Sequence, residues 1–242
     1  MTVKPDLPVS AGPVDWAGPD CHESTTSGFI HCVRLPPEAD PDRPVPMIVM
    51  LHGWGGDEGA MWVFKQVIPP GVAAITPRAP LDLGNGGYAW FYRNDPLHLT
   101  DPDSLLAAIA KLEQFLTSLP QLYPVDPSRL LLIGFSQGGA VSNSLVMARP
   151  ELVIGVALLS GMGFELPELI PRAMSLADLH VFIAHGVRDK IVPLSAAQQA
   201  REMYEQLGAK VTYGEYKVGH KMHVQEIKDL RAWITDVINA RS

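Results

Sequence analysis

The sequence predicts an α/β domain with a mostly parallel central sheet flanked by helices on both faces. Three observations predict it. Short apolar runs alternate with stretches whose apolar residues recur every three or four positions, the rhythm of βαβ units. The runs are nearly continuous rather than alternating, as strands covered on both faces are. The chain's 242 residues allow one large domain to bury most of its surface, and no linker or internal repeat divides them.

The elements follow in order. Residues 1–27, polar and rich in proline and glycine, are expected to form a loose leader, and residues 28–242 a single domain. GFIHCVRL (28–35) reads as a strand and PPEADPDRP (36–44) as a proline-broken turn. MIVMLH (47–52) is a buried strand stopped by the glycines of HGWGG, and VAAIT (72–76) another. The segment 82–101 is long, glycine-rich and aromatic, as binding loops often are. In 104–119, Leu105, Ile109, Leu112, Leu116 and Leu119 form one helical stripe. Strands follow at RLLLIGF (129–135), VIGVALLS (153–160) and HVFIAH (180–185). A helix over 195–207 has Ser195 as its N-cap, Ala200, Met203, Tyr204 and Leu207 as its stripe, and Gly208 as its stop. KVTYGEY (210–216) is the last strand, and Ile227, Leu230, Ile234 and Val237 mark the last helix.

Composition excludes some functions. A formal net charge of −7 argues against a nucleic-acid surface, which needs a basic face. No apolar run reaches the roughly 18 residues of a membrane span, so stable membrane insertion is not expected. The start of the chain lacks the apolar stretch of a signal peptide. Cys21 and Cys32 have no CxxC spacing; one disulfide is an alternative, but two free thiols in a reducing cytoplasm is the plainer reading. The oligomeric state stays open, a homodimer included.

Chemistry concentrates in LLLIGFSQGGA (131–141). Gly134-Phe135-Ser136-Gln137-Gly138 is a G-x-S-x-G pattern directly after an apolar strand and before a helix. A serine on such a sharp turn is lifted above the sheet edge, and side chains two residues to either side would collide. The helix N-terminus there favours developing negative charge. A serine hydroxyl needs a base, and the base an orienting acid; on this architecture the order is Ser, then Asp or Glu, then His. Asp189 follows the 180–185 strand and His220 follows the 210–216 strand, so both fall at strand C-terminal ends, where open α/β sheets bind ligands. Asp178 precedes its strand and Glu215 lies within one, which makes both weaker candidates for the acid. His185 reads as a structural histidine, His52 as a brace for its loop, and His223 as a surface or capping residue. His22, His31, His98 and His180 belong to no motif. A metal site at His220 and His223 lacks a third ligand nearby in sequence, so no metal and no cofactor is expected. The oxyanion of an acyl-transfer intermediate needs two donors. The N–H of Gln137 is one, and the glycine-flanked N–H of Trp54 in LHGWGG (51–56) is the other.

With these residues placed, the chain resembles the α/β-hydrolase superfamily, and within it the phospholipase/carboxylesterase family that includes the acyl-protein thioesterases. LHGWGGDEGAMW, PRAPLDLGNGGYAWF (77–91), GFSQGGA, HGVRDKIVP and GHKM are similar to that family's ordered blocks, over about residues 28–240. The resemblance implies a triad of Ser136, Asp189 and His220 with the Trp54 and Gln137 N–H groups as oxyanion hole. Two departures stand out: Trp54 replaces the family's usual leucine, and the loop carries an additional glycine that could move the second donor by one residue. The expected activity is a serine carboxylesterase for small soluble esters of short to medium acyl chains. Thioester or lysophospholipid hydrolysis is the alternative, and a non-catalytic binding protein a remote one. A dienelactone-type hydrolase would have cysteine at position 136. Trp54, Trp90, Met162, Phe164 and Val192 are the expected acyl-pocket residues.

Overall fold

A computed structural model of the protein describes residues 19–23, 28–94, 99–161 and 175–240. One eight-stranded sheet runs through it. Its strands are β1 (Asp20–Glu23), β2 (Ile30–Arg34), β3 (Val45–Leu51), β4 (Ala73–Pro77), β5 (Val125–Phe135), β6 (Gly155–Leu159), β7 (His180–Gly186) and β8 (Lys210–Tyr216). They lie side by side in the order β1-β2-β4-β3-β5-β6-β7-β8. The pairs β1–β2 and β2–β4 are antiparallel; all others are parallel. Because β3 sits between β4 and β5, the chain leaves β3 to one side and returns on the other. A crevice therefore opens at the C-terminal ends of β3 and β5.

Helices α1 (Pro102–Leu122), α2 (Gln137–Ala148) and α3 (Leu194–Gln206) cover one face of the sheet. Helix α4 (Val224–Asn239) and a 3-10 turn at Ala60–Val67 cover the other. The strands divide their side chains between the two cores. In β3, Met47, Val49 and Leu51 join α1 and α2, while Ile48 and Met50 face α4. Leu132 and Ile133 of β5, and Ile183 and Phe182 of β7, split in the same way. Double-sided burial is why these runs carry no polar alternation. All five stripe residues of α1 are buried, and the Asp101 carboxylate caps that helix by accepting the Ser104 N–H at 2.9 Å.

The structure departs from expectation in places. Helix α3 starts at Leu194 behind Pro193, with no side-chain cap, so Ser195 is not its N-cap. Strand β8 is the sheet edge and only partly buried, because it has a neighbour on one side alone. Cys21 and Cys32 are not free thiols: they face each other across β1 and β2 and form a disulfide. A four-residue polar strand, DCHE, carries no apolar signal that would reveal this pairing. None of the described helices is long and apolar enough to cross a membrane.

Candidate active site

Ser136 sits between β5 and α2 with φ of 54° and ψ of −115°, a conformation that costs about 1–3 kcal/mol for a residue with a side chain. The surrounding glycines make the turn possible. A Cβ on Gly134 would meet the Gly138 carbonyl oxygen at 2.3 Å, and one on Gly138 the Leu51 carbonyl oxygen at 2.3 Å. No side chain fits at either place.

The Ser136 Oγ lies 2.9 Å from His220 Nε2, and His220 Nδ1 lies 2.7 Å from Asp189 Oδ2. The loops after β5, β7 and β8 thus converge on one chain of hydrogen bonds. Asp189 has no exposed side-chain surface. Burial opposes its ionisation, but the Val192 N–H, the His220 ring and the Ile191 N–H outweigh that cost and hold the carboxyl below the ordinary aspartate range. A carboxylate so held accepts from Nδ1–H and leaves Nε2 as an acceptor for the serine hydroxyl.

His185 also approaches Asp189, at 3.5 Å, but its Nε2 lies 3.0 Å from the Val192 carbonyl, a structural bond beneath the acid loop. Asp178 is exposed at the far end of β7, and Glu215 accepts the Tyr213 hydroxyl at 2.8 Å. Neither reaches His220. His223 caps α4: its Nδ1 accepts the Gln225 N–H, and Glu226 accepts the His223 N–H at 3.0 Å. Both nitrogens of His220 are engaged by Ser136 and Asp189, so the pair does not present two open ligands. His31 is bonded to Tyr123 and the Phe29 carbonyl, away from the site.

The loop after β3 presses against the nucleophile; a Cβ on Gly53 would lie 3.2 Å from Ser136 Cβ. The Gly56 N–H returns to the Gly53 carbonyl and closes a tight turn through Trp54 and Gly55, the latter at φ of 77°. The Gly55 N–H donates to the Tyr88 carbonyl. The N–H groups of Gly55 and Gly56 are thus both committed within the protein. His52 braces the turn from behind. Its Nε2 accepts the Ala79 N–H at 3.0 Å, which puts the ring proton on Nδ1, 2.7 Å from the Gly53 carbonyl. Burial lowers its pKa, so the ring stays neutral.

Of the expected pocket residues, Trp54 is 50% exposed at the rim. Trp90 is not a pocket wall: it has no exposed surface, packs on Phe29 and His52, and donates its Nε1–H to the His52 carbonyl. Val192 is likewise buried, and its backbone serves Asp189 and His185. Met162 and Phe164 lie outside the described residues, as does His98.

Two features escaped sequence reasoning. The Gln137 side chain accepts the Trp90 N–H at 2.9 Å and donates to the Phe91 carbonyl at 2.7 Å, clamping the 90–91 backbone to the elbow. Nothing local signals a bond across that separation. Glu226 is buried beneath the His223 cap; the three-residue spacing of a capping box was its one visible sign.

A family model described as Phospholipase/Carboxylesterase matches residues 38–238. Acyl-protein thioesterase 1 of Debaryomyces hansenii is 30% identical over 233 residues, covering 88% of this chain and 99% of the relative. A probable carboxylesterase of Oryza sativa subsp. japonica is 23% identical over 225 residues, covering 86% of this chain and 84% of the relative. Among solved structures, the Bacillus cereus carboxylesterase superposes with a TM-score of 0.75 at 23% identity, covering 86% of this chain and 94% of the other.

Proposed function

The chain belongs to the phospholipase/carboxylesterase family of α/β-hydrolases, enzymes acting on ester bonds, and on that premise we propose that it is a serine carboxylesterase using Ser136, Asp189 and His220. The observation that carries this reading is the unbroken path from the Ser136 hydroxyl through His220 to the buried Asp189 carboxylate.

In the proposed mechanism His220 Nε2 takes the Ser136 proton as Oγ adds to the substrate carbonyl. The carbonyl π pair moves to oxygen, and that oxyanion accepts the N–H groups of Gln137 and Trp54. Collapse expels the alcohol or thiol, which leaves with the proton from His220, and an acyl-Ser136 ester remains. Water, deprotonated by His220, adds to that ester; Oγ departs and recovers the proton, releasing the carboxylic acid. Asp189 stays ionised throughout and stabilises the imidazolium. No step calls for a metal or organic cofactor.

The favoured substrates are small soluble carboxylic esters of short to medium acyl chains. Thioester hydrolysis is a second reading, favoured by the name of the Debaryomyces relative. The catalytic domain is read as one unit that includes β1 as well as residues 28–242. Asp20–Glu23 pair with β2 and are tied to it by the Cys21–Cys32 bond, so the boundary expected at residue 28 falls too late. The cytoplasmic location that free thiols implied loses its support, since the Cys21–Cys32 bond fits an oxidising compartment better.

Ser136→Ala should lower ester turnover by about 10⁴–10⁶ with the fold kept. An active-site phosphonate should label Ser136 in the parent protein. Label on another residue, with Ser136→Ala near parent activity, would refute the mechanism.

A further inference from the structure

The rim beside His220 has a charge opposite to that of the whole chain. The Val187 N–H donates to the Tyr216 carbonyl at 2.8 Å and the Arg188 N–H to the Val218 carbonyl at 2.9 Å. Gly186 lies so close to Gly219 that a Cβ would meet its carbonyl oxygen at 2.4 Å. The loops after β7 and β8 therefore run side by side. Between them they carry Arg188, Lys190, Lys217 and Lys221, all exposed, around Asp189 and His220. The chain as a whole carries −7.

Among the described residues, the nearby carboxylates are held by partners other than these cations and offset the rim's charge only in part. Asp189 is buried on His220 and two backbone N–H groups. Glu215 accepts from Tyr213 and lies near Gln198, and Asp229 accepts from Tyr216 and Gln225. Glu226 is buried under the His223 N–H. Among the described residues, no ion pair joins any of the four cations to a carboxylate. Across the mouth, the turn that follows Trp54 carries exposed Asp57, and Glu58 with its charge taken by Arg78.

Geometry decides which part of a substrate meets the cations. His220 Nε2 must serve both Ser136 Oγ and the departing oxygen or sulfur, so the leaving group lies on the His220 side. The carbonyl oxygen turns toward Gly53, Trp54 and Gln137. We propose that the cationic rim selects esters and thioesters whose leaving alcohol or thiol carries a negative charge, a carboxylate or a phosphate. This rests on the Ser136–His220 reading. Exposed cations act on such a substrate through steering, which raises association rates by about 10–10³ and fades with salt.

The test compares para-carboxyphenyl butanoate with its neutral isostere para-carbamoylphenyl butanoate. At about 0.01 M salt, where the Debye length is roughly 30 Å, the anionic ester should have about tenfold the kcat/KM of the neutral one. At about 1 M salt the ratio should approach one. In Lys190→Glu/Lys221→Glu, shown folded by circular dichroism, the low-salt ratio should drop below one. A carboxylate on the acyl side, as in para-nitrophenyl hydrogen succinate against the pentanoate, should bring no gain. A parent ratio near one at low salt, or a ratio the double variant leaves unchanged, overturns the inference while the esterase reading stands. Equal gain from an acyl-side carboxylate overturns the leaving-group assignment. Turnover of neither ester overturns the esterase reading and the inference with it.

Discussion

Asp189 fixes the direction in which His220 points: its Oδ2 holds Nδ1 at 2.7 Å, and Nε2 then faces the Ser136 hydroxyl at 2.9 Å. Asp189→Asn keeps the size of the side chain and removes the charge. An amide in its place can donate toward Nδ1, which selects the wrong tautomer and leaves Nε2 carrying the proton. The expected loss in kcat is about 10⁴-fold, with an unchanged thermal midpoint as the check on folding. A loss smaller than about tenfold would remove Asp189 from the mechanism.

The two histidines of GHKMH should separate cleanly. His220→Ala removes the general base and should cost about 10⁴-fold or more in kcat. His223→Ala removes an α4 cap instead, since Nδ1 accepts the Gln225 N–H. Its cost should be about 1 kcal/mol in stability, read from urea unfolding, with turnover within about threefold of the parent. Comparable loss of turnover from both would mean that His223 has a part in the chemistry.

What the sequence made legible was local. Ser136 stands out because the collisions at Gly134 and Gly138 are matters of backbone within one turn. Asp189 and His220 could be placed because each follows a segment that reads as a strand, and strand ends converge in a parallel sheet. Trp90 was misread for the same reason. It sits in an aromatic, glycine-rich loop that looks exposed, yet its indole N–H finds the His52 carbonyl in the core. The disulfide was hidden because pairing Cys21 with Cys32 depends on strand register, which a polar four-residue strand does not encode. The Gln137 clamp was hidden because its partners lie in a distant loop.

That clamp makes its own prediction. Gln137→Ala keeps the backbone N–H assigned to the oxyanion but strands the buried Trp90 N–H and Phe91 carbonyl. Each unsatisfied group costs about 1–3 kcal/mol, so urea unfolding should show a loss of about 2–6 kcal/mol. Trp90 also ties the His52 carbonyl in place, and a loosened loop should lower kcat/KM by up to about 10²-fold. Parent stability in the variant would mean that water replaces both bonds.

Glu226 should make stability fall as pH rises toward neutrality. Burial pushes its carboxyl up, the His223 N–H pulls it back, and Asp229 raises it again, leaving it at about 7 against an ordinary 4.5. Between those values the folded protein keeps a proton that the unfolded chain has released. Stability therefore declines as pH climbs from about 4.5 to about 7 and levels off above. At about 1.4 kcal/mol per unit the ceiling is roughly 3 kcal/mol, reduced by whatever the ionised carboxylate gains at the α4 N-terminus. Glu226→Gln keeps an oxygen to accept the His223 N–H and cannot ionise. Urea midpoints of parent and variant should coincide near pH 4 and diverge with rising pH, the variant being the more stable at pH 8. Parallel curves across that range would place the titrating group elsewhere, because no other change separates the two proteins.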